Sequence, residues 1–139
     1  MIMDHKRLSR LRKRMGRVRF KSRRAALLQG KFRLIFSRSN KNLYLQLVDD
    51  VKGIVLLSCS TVSKDFAEKF AHGVSDVGAT GKVGNNACVR GANVLGEIMG
   101  NALKQMNCVS GIIFDRGSCG YSPLLRGLLD SIRSFGVKI

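Results

Sequence analysis

From residue 33 onward, apolar positions recur first at every second place and later at every third or fourth. Arg33 to Arg38 (R-L-I-F-S-R) reads as a strand, and Ser39-Asn40-Lys41-Asn42 is dense in turn formers. Leu43, Leu45 and Leu47 alternate with Tyr44 and Gln46, which predicts a second strand over Leu43 to Val48 with one apolar and one polar face. Asp49 to Gly53 makes a second turn. Ile54 to Ser60, apolar through its first half, predicts a third strand, so the three form an antiparallel meander. After Thr61 the period lengthens. Ser63 or Asp65 caps a short helix with Phe66, Ala67 and Phe70 inward. Gly73 to Gly84 holds four glycines without a period and predicts a loop. A long helix is expected from Asn85 or Asn86 to about Met106, with Val94, Leu95, Ile98, Ala102 and Met106 inward. Its Gly91, Gly96 and Gly100 each weaken a helix by up to about 1 kcal/mol against alanine, and close packing of helix on sheet would compensate. Ile112-Ile113-Phe114 suits a strand buried on both faces. A final helix is expected from Pro123 to Phe135, with Leu125, Leu128, Leu129 and Ile132 on one stripe.

The order is β-β-β-α-α-β-α. The crossover into the fourth strand runs through helices, so that strand is expected parallel to the third and hence to the first. The carboxyl ends of strands one, three and four then share one edge of the sheet. That edge gathers Arg38, Ser39, Asn40 and Lys41, then Ser58 to Thr61, then Asp115, Arg116 and Gly117, with Tyr44 near enough to offer a stacking face. Cations, hydroxyls, amides and flexible backbone together suit RNA, whose phosphates and 2′-hydroxyls are read with splayed bases. The plainer readings are an ordinary sheet tyrosine and a surface pair between Asp115 and Arg116. A two-metal nuclease would need clustered carboxylates, but Asp49 and Asp50 end strand two, which runs the opposite way. They are therefore expected across the sheet from Asp115. Neither His5 nor His72 has a nucleophile beside it, and no phosphate-binding G-x-x-x-x-G-K-S/T loop occurs.

Charge sharpens the RNA reading. The 139 residues carry a formal net charge of +16, and it is unevenly placed. Residues 1–41 hold 15 Lys/Arg against the single acid Asp4, while residues 42–139 are nearly neutral with 10 Lys/Arg and 8 acids. Lys6 to Arg24 alone contains 11 cations. Leu8, Leu11, Met15 and Val18 fall at helical spacing, yet self-repulsion predicts a segment that stays disordered until anions neutralise it. A membrane-surface helix would want a wider apolar face, and a mitochondrial presequence rarely reaches this density. Nucleic acid is the better partner, with arginine forks on phosphates, and Arg7, Arg10, Arg12, Lys13, Arg14, Arg17, Arg19, Lys21, Arg23 and Arg24 are the expected contacts. Residues 1–30 thus read as a basic RNA-binding arm and 31–139 as a globular α/β domain. Cys59, Cys88, Cys108 and Cys119 lack ligand spacing, which argues for reduced thiols and against a structural zinc. No apolar run approaches the roughly 20 residues of a membrane span, and the amino terminus lacks a secretory signal's apolar middle region.

Three blocks carry a resemblance: R-L-I-F-S-R-S-N-K-N-L-Y-L-Q (33–46), L-L-S-C-S-T-V (56–62) and F-D-R-G-S-C-G-Y (114–121), with G-V-K-I at the end. In order and spacing the chain resembles the bacterial form of large-subunit ribosomal protein eighteen, the family that binds 5S ribosomal RNA. The likeness covers nearly the whole chain. It implies a ribonuclease-H-like α/β body without catalysis: a three-stranded antiparallel meander plus one parallel strand, helices packed on the sheet, and a basic N-terminal arm. It implies a cytoplasmic place in a ribosome of bacterial or organellar type, in the central protuberance. The implied partners are 5S ribosomal RNA, large-subunit ribosomal RNA and neighbouring large-subunit proteins, with no cofactor, metal, membrane or small-molecule substrate. Carried onto matching positions, it favours Arg38, Ser39, Asn40, Lys41, Tyr44, Gln46, Ser60, Thr61, Asp115, Arg116, Gly117 and Tyr121 as RNA-binding residues. Where the family usually has His-Gly and a basic residue after the tyrosine, this chain has Ser122, Pro123 and Leu124, which removes a stacking group and a cation. A free-standing RNA chaperone or nucleic-acid-binding regulator is the alternative from another class.

Overall fold

Leu43, Leu45 and Leu47 are fully buried while Tyr44 and Gln46 between them are exposed, so β2 (Leu43–Asp49) has the two unlike faces its alternation predicts. The computed structural model describes residues 17, 20–72, 87–117 and 119–139. Arg7, Arg10, Arg12, Lys13, Arg14, Arg19 and the expected loop from Gly73 to Gly84 lie outside the described residues.

Around β2 stand β1 (Phe32–Arg38), β3 (Ile54–Ser60) and β4 (Ile112–Asp115), in the order β3-β2-β1-β4. β1–β2 and β2–β3 are antiparallel and β4 runs parallel to β1, as expected. One expectation needs correction: β4 is a four-residue edge strand, with Ile113 and Phe114 half-buried rather than enclosed on both faces. A run this short reports apolar surroundings without saying how many neighbours the strand has.

Among the described residues, four helices complete the mixed α/β body: α1 (20–29), α2 (Lys64–His72), α3 (Val89–Gln105) and α4 (Pro123–Arg133). Leu34, Phe36 and the β2 leucines pack with Leu95, Met99 and Leu103 of α3 and Leu125, Leu128 and Ile132 of α4 in one core. The Ser63 hydroxyl accepts from Phe66 N–H to cap α2, whose Phe66 is buried while Ala67 is exposed. Ser122 caps α4 by accepting from Leu125 N–H at 3.4 Å, and Pro123 takes the first helical position.

α3 departs from expectation at its start and on its face. Cys88, not Asn85 or Asn86, is the cap, its Sγ accepting from Gly91 N–H. The buried stripe is Gly91, Ala92, Leu95, Gly96, Met99, Gly100 and Leu103, while Val94, Ile98 and Ala102 are half-buried and Met106 is 41% exposed. The reason is α4, not the sheet. A Cβ on Gly96 would stand 2.7 Å from the Leu128 carbonyl oxygen and 2.8 Å from Ser131 Cβ, and one on Gly100 would stand 2.6 Å from the Phe135 ring. Gly96 lets the two helix backbones approach closely, and Gly100 leaves room for the Phe135 ring just past α4. Gly96→Ala is therefore expected to destabilise, because the clash with backbone, on the order of 1–3 kcal/mol, exceeds the gain in helix propensity of at most about 1 kcal/mol. A melting temperature lowered by roughly 5 °C would agree; an unchanged or raised one would mean that α4 moves aside freely.

Candidate nucleic-acid interface

Strand register assigns the polar side chains to faces. Opposed residues share a face, so Ser37, Tyr44 and Ser60 form one row across β1, β2 and β3, and Ile35, Gln46 and Ser58 form the next. Both rows lie on the side opposite the leucines that meet α3 and α4. Ser37, Tyr44, Gln46 and Ser58 are exposed and Ser60 is half-buried. With strands about 4.8 Å apart, each row spans roughly 10 Å, enough for a nucleotide lying across it. Ser58 is expected at this edge from strand direction, but Ser37 is not among the residues that the sequence reading gathers. The signal that finds it is period two: Ser37 follows Ile35 on the face that Leu34 and Phe36 avoid.

At the edge, the turn between β1 and β2 is tied by Ser39 N–H to the Asn42 carbonyl (2.9 Å) and Asn42 N–H to the Ser39 hydroxyl (3.0 Å). Arg38, Ser39, Asn40 and Lys41 are all exposed. Thr61 is buried instead. Its hydroxyl accepts from Leu43 N–H at 3.0 Å and donates to Asn42 Oδ1 at 3.1 Å, so it holds the turn rather than facing outward. Arg38 pairs with Leu43 in register. It therefore shares an edge with Tyr44 but belongs, by alternation, to the opposite face.

Asp115 is also buried, at 1% exposure, and its partner is Arg33 rather than Arg116. Arg33 forks onto Asp50 through Nε (2.7 Å) and Nη2 (2.9 Å) and reaches Asp115 Oδ2 through Nη1 at 3.0 Å. Asp50 and Asp115 are thus joined by one guanidinium, which corrects the expectation that they lie apart. β4 ends level with Ile35, midway along β1, and the long arginine side chain spans the rest. The hydrogen bond to Asp50 does most to raise the Arg33 pKa above its ordinary value; burial opposes it and the bond to Asp115 adds to it. The guanidinium fills the place between the carboxylates where a nuclease would seat cations. Among the described residues, no group of three or more His, Cys, Asp or Glu could hold a metal.

The same carboxylates anchor α1. The Ser22 hydroxyl donates to Asp115 Oδ2 at 2.8 Å, Arg23 Nε lies 3.8 Å from Asp50 Oδ1, and Ala26 is fully buried. The helix closes at Gly30 (φ +58°), with Lys31 N–H bonded to the Ala26 carbonyl at 2.9 Å. Lys21, Arg23 and Arg24, expected to be disordered without an anion, lie in this packed helix. Arg17 is likewise helical and exposed. On the other side of Asp115, Oδ1 accepts from Gly117 N–H at 2.9 Å, where φ is +59°. This turn carries the chain beside the Phe36 carbonyl and leaves Arg116 exposed just past the end of β4, the strand that neighbours β1. Tyr121, 64% exposed, follows in the same connection.

The four cysteines are free thiols, and burial raises the pKa of the Cys59 thiol. Among the described residues, no helix is long and apolar enough to cross a membrane.

Comparison with known proteins places these features in a family. The model of ribosomal L18 of archaea, bacteria, mitochondria and chloroplasts matches residues 5–139. The chain is similar to large ribosomal subunit protein uL18 of Ruegeria sp. (strain TM1040), at 36% identity over 127 residues, covering 91% of this chain and 92% of that protein. It is 32% identical to the protein of the same name from Bacillus cereus (strain B4264), covering 91% and 90% of the two chains. With that of Clostridium novyi (strain NT) it shares 34% identity, over 76% and 75%.

Proposed function

The chain belongs to the ribosomal L18 family of large-subunit ribosomal proteins, and from that premise we propose that it binds 5S ribosomal RNA. In this reading it helps to attach that RNA to the large-subunit RNA in the central protuberance, beside neighbouring large-subunit proteins. The body acts as a ribonuclease-H-like scaffold and not as an enzyme. The observation that carries the reading is the part of the polar sheet face that α1 leaves exposed, with its rows Ser37–Tyr44–Ser60 and Gln46–Ser58, bordered by the exposed turn from Arg38 to Lys41 and by Arg116. Hydroxyls and an amide suit 2′-hydroxyls and base edges, a tyrosine ring suits a splayed base, and the bordering cations suit phosphates. RNA lying on Tyr44 and Gln46 would pass over the edge at Arg38 and Lys41. Thr61, Asp115 and Gly117 then serve as positioning residues beneath that surface, and residues 1–30 work as the arm that reaches further phosphates.

Three substitutions test the surface. Arg38→Ala, Arg116→Ala and Tyr44→Leu are each expected to weaken 5S RNA binding at fixed salt by on the order of 1–3 kcal/mol. The arginine variants should melt within a degree or two of the parent, because exposed cations contribute little to folding. Unchanged affinity in all three folded variants would mean that the RNA is held elsewhere. A free-standing RNA chaperone would instead bind a length-matched control RNA as tightly as 5S RNA.

A further inference from the structure

We propose that the outward stripe of α1, formed by Phe20, Arg24, Leu27 and Leu28, is a stacking site for unpaired bases of RNA. The proposal rests on the RNA-binding function above and assigns to the arm a means of choosing among RNAs. α1 presents its side chains in an unusual sense. A helix docked on a sheet ordinarily turns its large apolar residues inward. Here the inward side is small: Ala26 is fully buried and Ser22 bonds to Asp115. The large residues point away, with Phe20 65%, Leu27 43% and Leu28 76% exposed. Positions 20, 24, 27 and 28 are three or four residues apart, so they share one face of the helix. That face runs aromatic ring, guanidinium, then aliphatic pair.

Charge identifies the occupant. Arg17, Lys21, Arg23, Arg24 and Lys31 are exposed on or beside the helix, and residues 20–31 contain no acid. An apolar stripe inside so dense a cationic field fits a polyanion that also offers apolar planar surface. Unpaired nucleotides have both, and phenylalanine rings and arginine planes are the side chains on which such bases stack. A fully paired duplex hides its base faces and could use only the cations. The anchoring at Ser22, Ala26 and Gly30 matters because it holds the stripe rigid before RNA arrives, which lowers the ordering cost of binding.

The test uses the full chain and two RNA probes of equal length, a blunt duplex and a hairpin interrupted by a bulge of unpaired nucleotides, with 5S RNA measured beside them. Phe20→Ala is expected to weaken binding to the bulged hairpin by roughly 10-fold, the scale of one lost stack, while duplex affinity, salt slope and melting temperature stay as in the parent. Leu28→Ser should act the same way more weakly. Equal affinity of Phe20→Ala and parent for the bulged RNA would overturn the proposal. So would equal losses on both probes, or unchanged RNA binding with lost association to a large-subunit protein, which would make the stripe a protein interface. A bulge effect without any preference of the parent for 5S RNA would leave the stripe standing and remove the 5S assignment instead.

Discussion

Replacing Arg33 with methionine is expected to lower the melting temperature by roughly 10–15 °C. Methionine keeps much of the side-chain volume but removes the charge that two buried carboxylates share. Asp115 and Asp50 side chains are 1% and 5% exposed, and Arg33 is 11% exposed. Stripping the cation from such a site leaves uncompensated buried charge, at a cost of about 3–5 kcal/mol, which converts to the stated shift for a domain of this size. The expected damage extends beyond stability, because Asp115 also receives Ser22 of α1 and Gly117 of the following turn. Losing its orientation should loosen α1 and the Arg116 turn together. Hydrogen exchange in residues 20–29 should therefore quicken more than in α3. The triple variant Arg33→Met, Asp50→Asn, Asp115→Asn removes the charges as a set; the amide oxygen at 115 still accepts from Gly117 N–H, and the amide NH2 can donate to the Ser22 hydroxyl, which reverses that bond without losing it. It should recover most of the lost stability, since paired charges exchanged for neutral groups are often nearly neutral in effect. A single variant that melts within 3 °C of the parent, or a triple variant no better than the single one, would show that the cluster is not a linchpin.

This cluster also marks where sequence reasoning stops. The alternation Leu43, Leu45, Leu47 announced β2 and its two faces because period two needs only neighbours along the chain. The α4 stripe and its Ser122-Pro123 start were legible for the same reason. Arg33 lies 17 residues from Asp50 and 82 from Asp115, and no local pattern says which carboxylates a strand arginine will meet. Its one trace was parity: Arg33 sits out of phase with Leu34 and Phe36, on the face where Ser37 and Tyr44 also lie. The glycines of α3 were legible as sites of close approach, but their partner was assigned to the sheet instead of α4. That error moved the predicted stripe toward Val94, Ile98 and Met106. For the interface, the edge was found from strand direction alone, whereas the division into faces needed register. Arg38 and Tyr44 were accordingly grouped on one surface although alternation sets them on opposite sides of the sheet.

Deleting residues 1–16 should change RNA affinity most of all. The cut removes the six cations Lys6, Arg7, Arg10, Arg12, Lys13 and Arg14. It spares α1, which a cut at residue 24 would sever through its Ser22–Asp115 anchor. Each phosphate contact contributes about 0.7 to 0.9 to the log–log dependence of affinity on salt, so six lost contacts should flatten the slope by about 4–5. Between 50 and 200 mM salt, the advantage of the full chain over the truncated one should then shrink by roughly three orders of magnitude. Preference for 5S RNA over a length-matched control should survive, because phosphate contacts position a protein while base and shape contacts specify its site. The groups proposed to specify, on the sheet face and the outward stripe of α1, all remain in the truncated chain. Titrations of both proteins against both RNAs across that salt range would decide the matter. A truncated chain that binds the two RNAs equally would move selectivity into residues 1–16, and a slope changed by less than one unit would mean that those cations rarely touch phosphate.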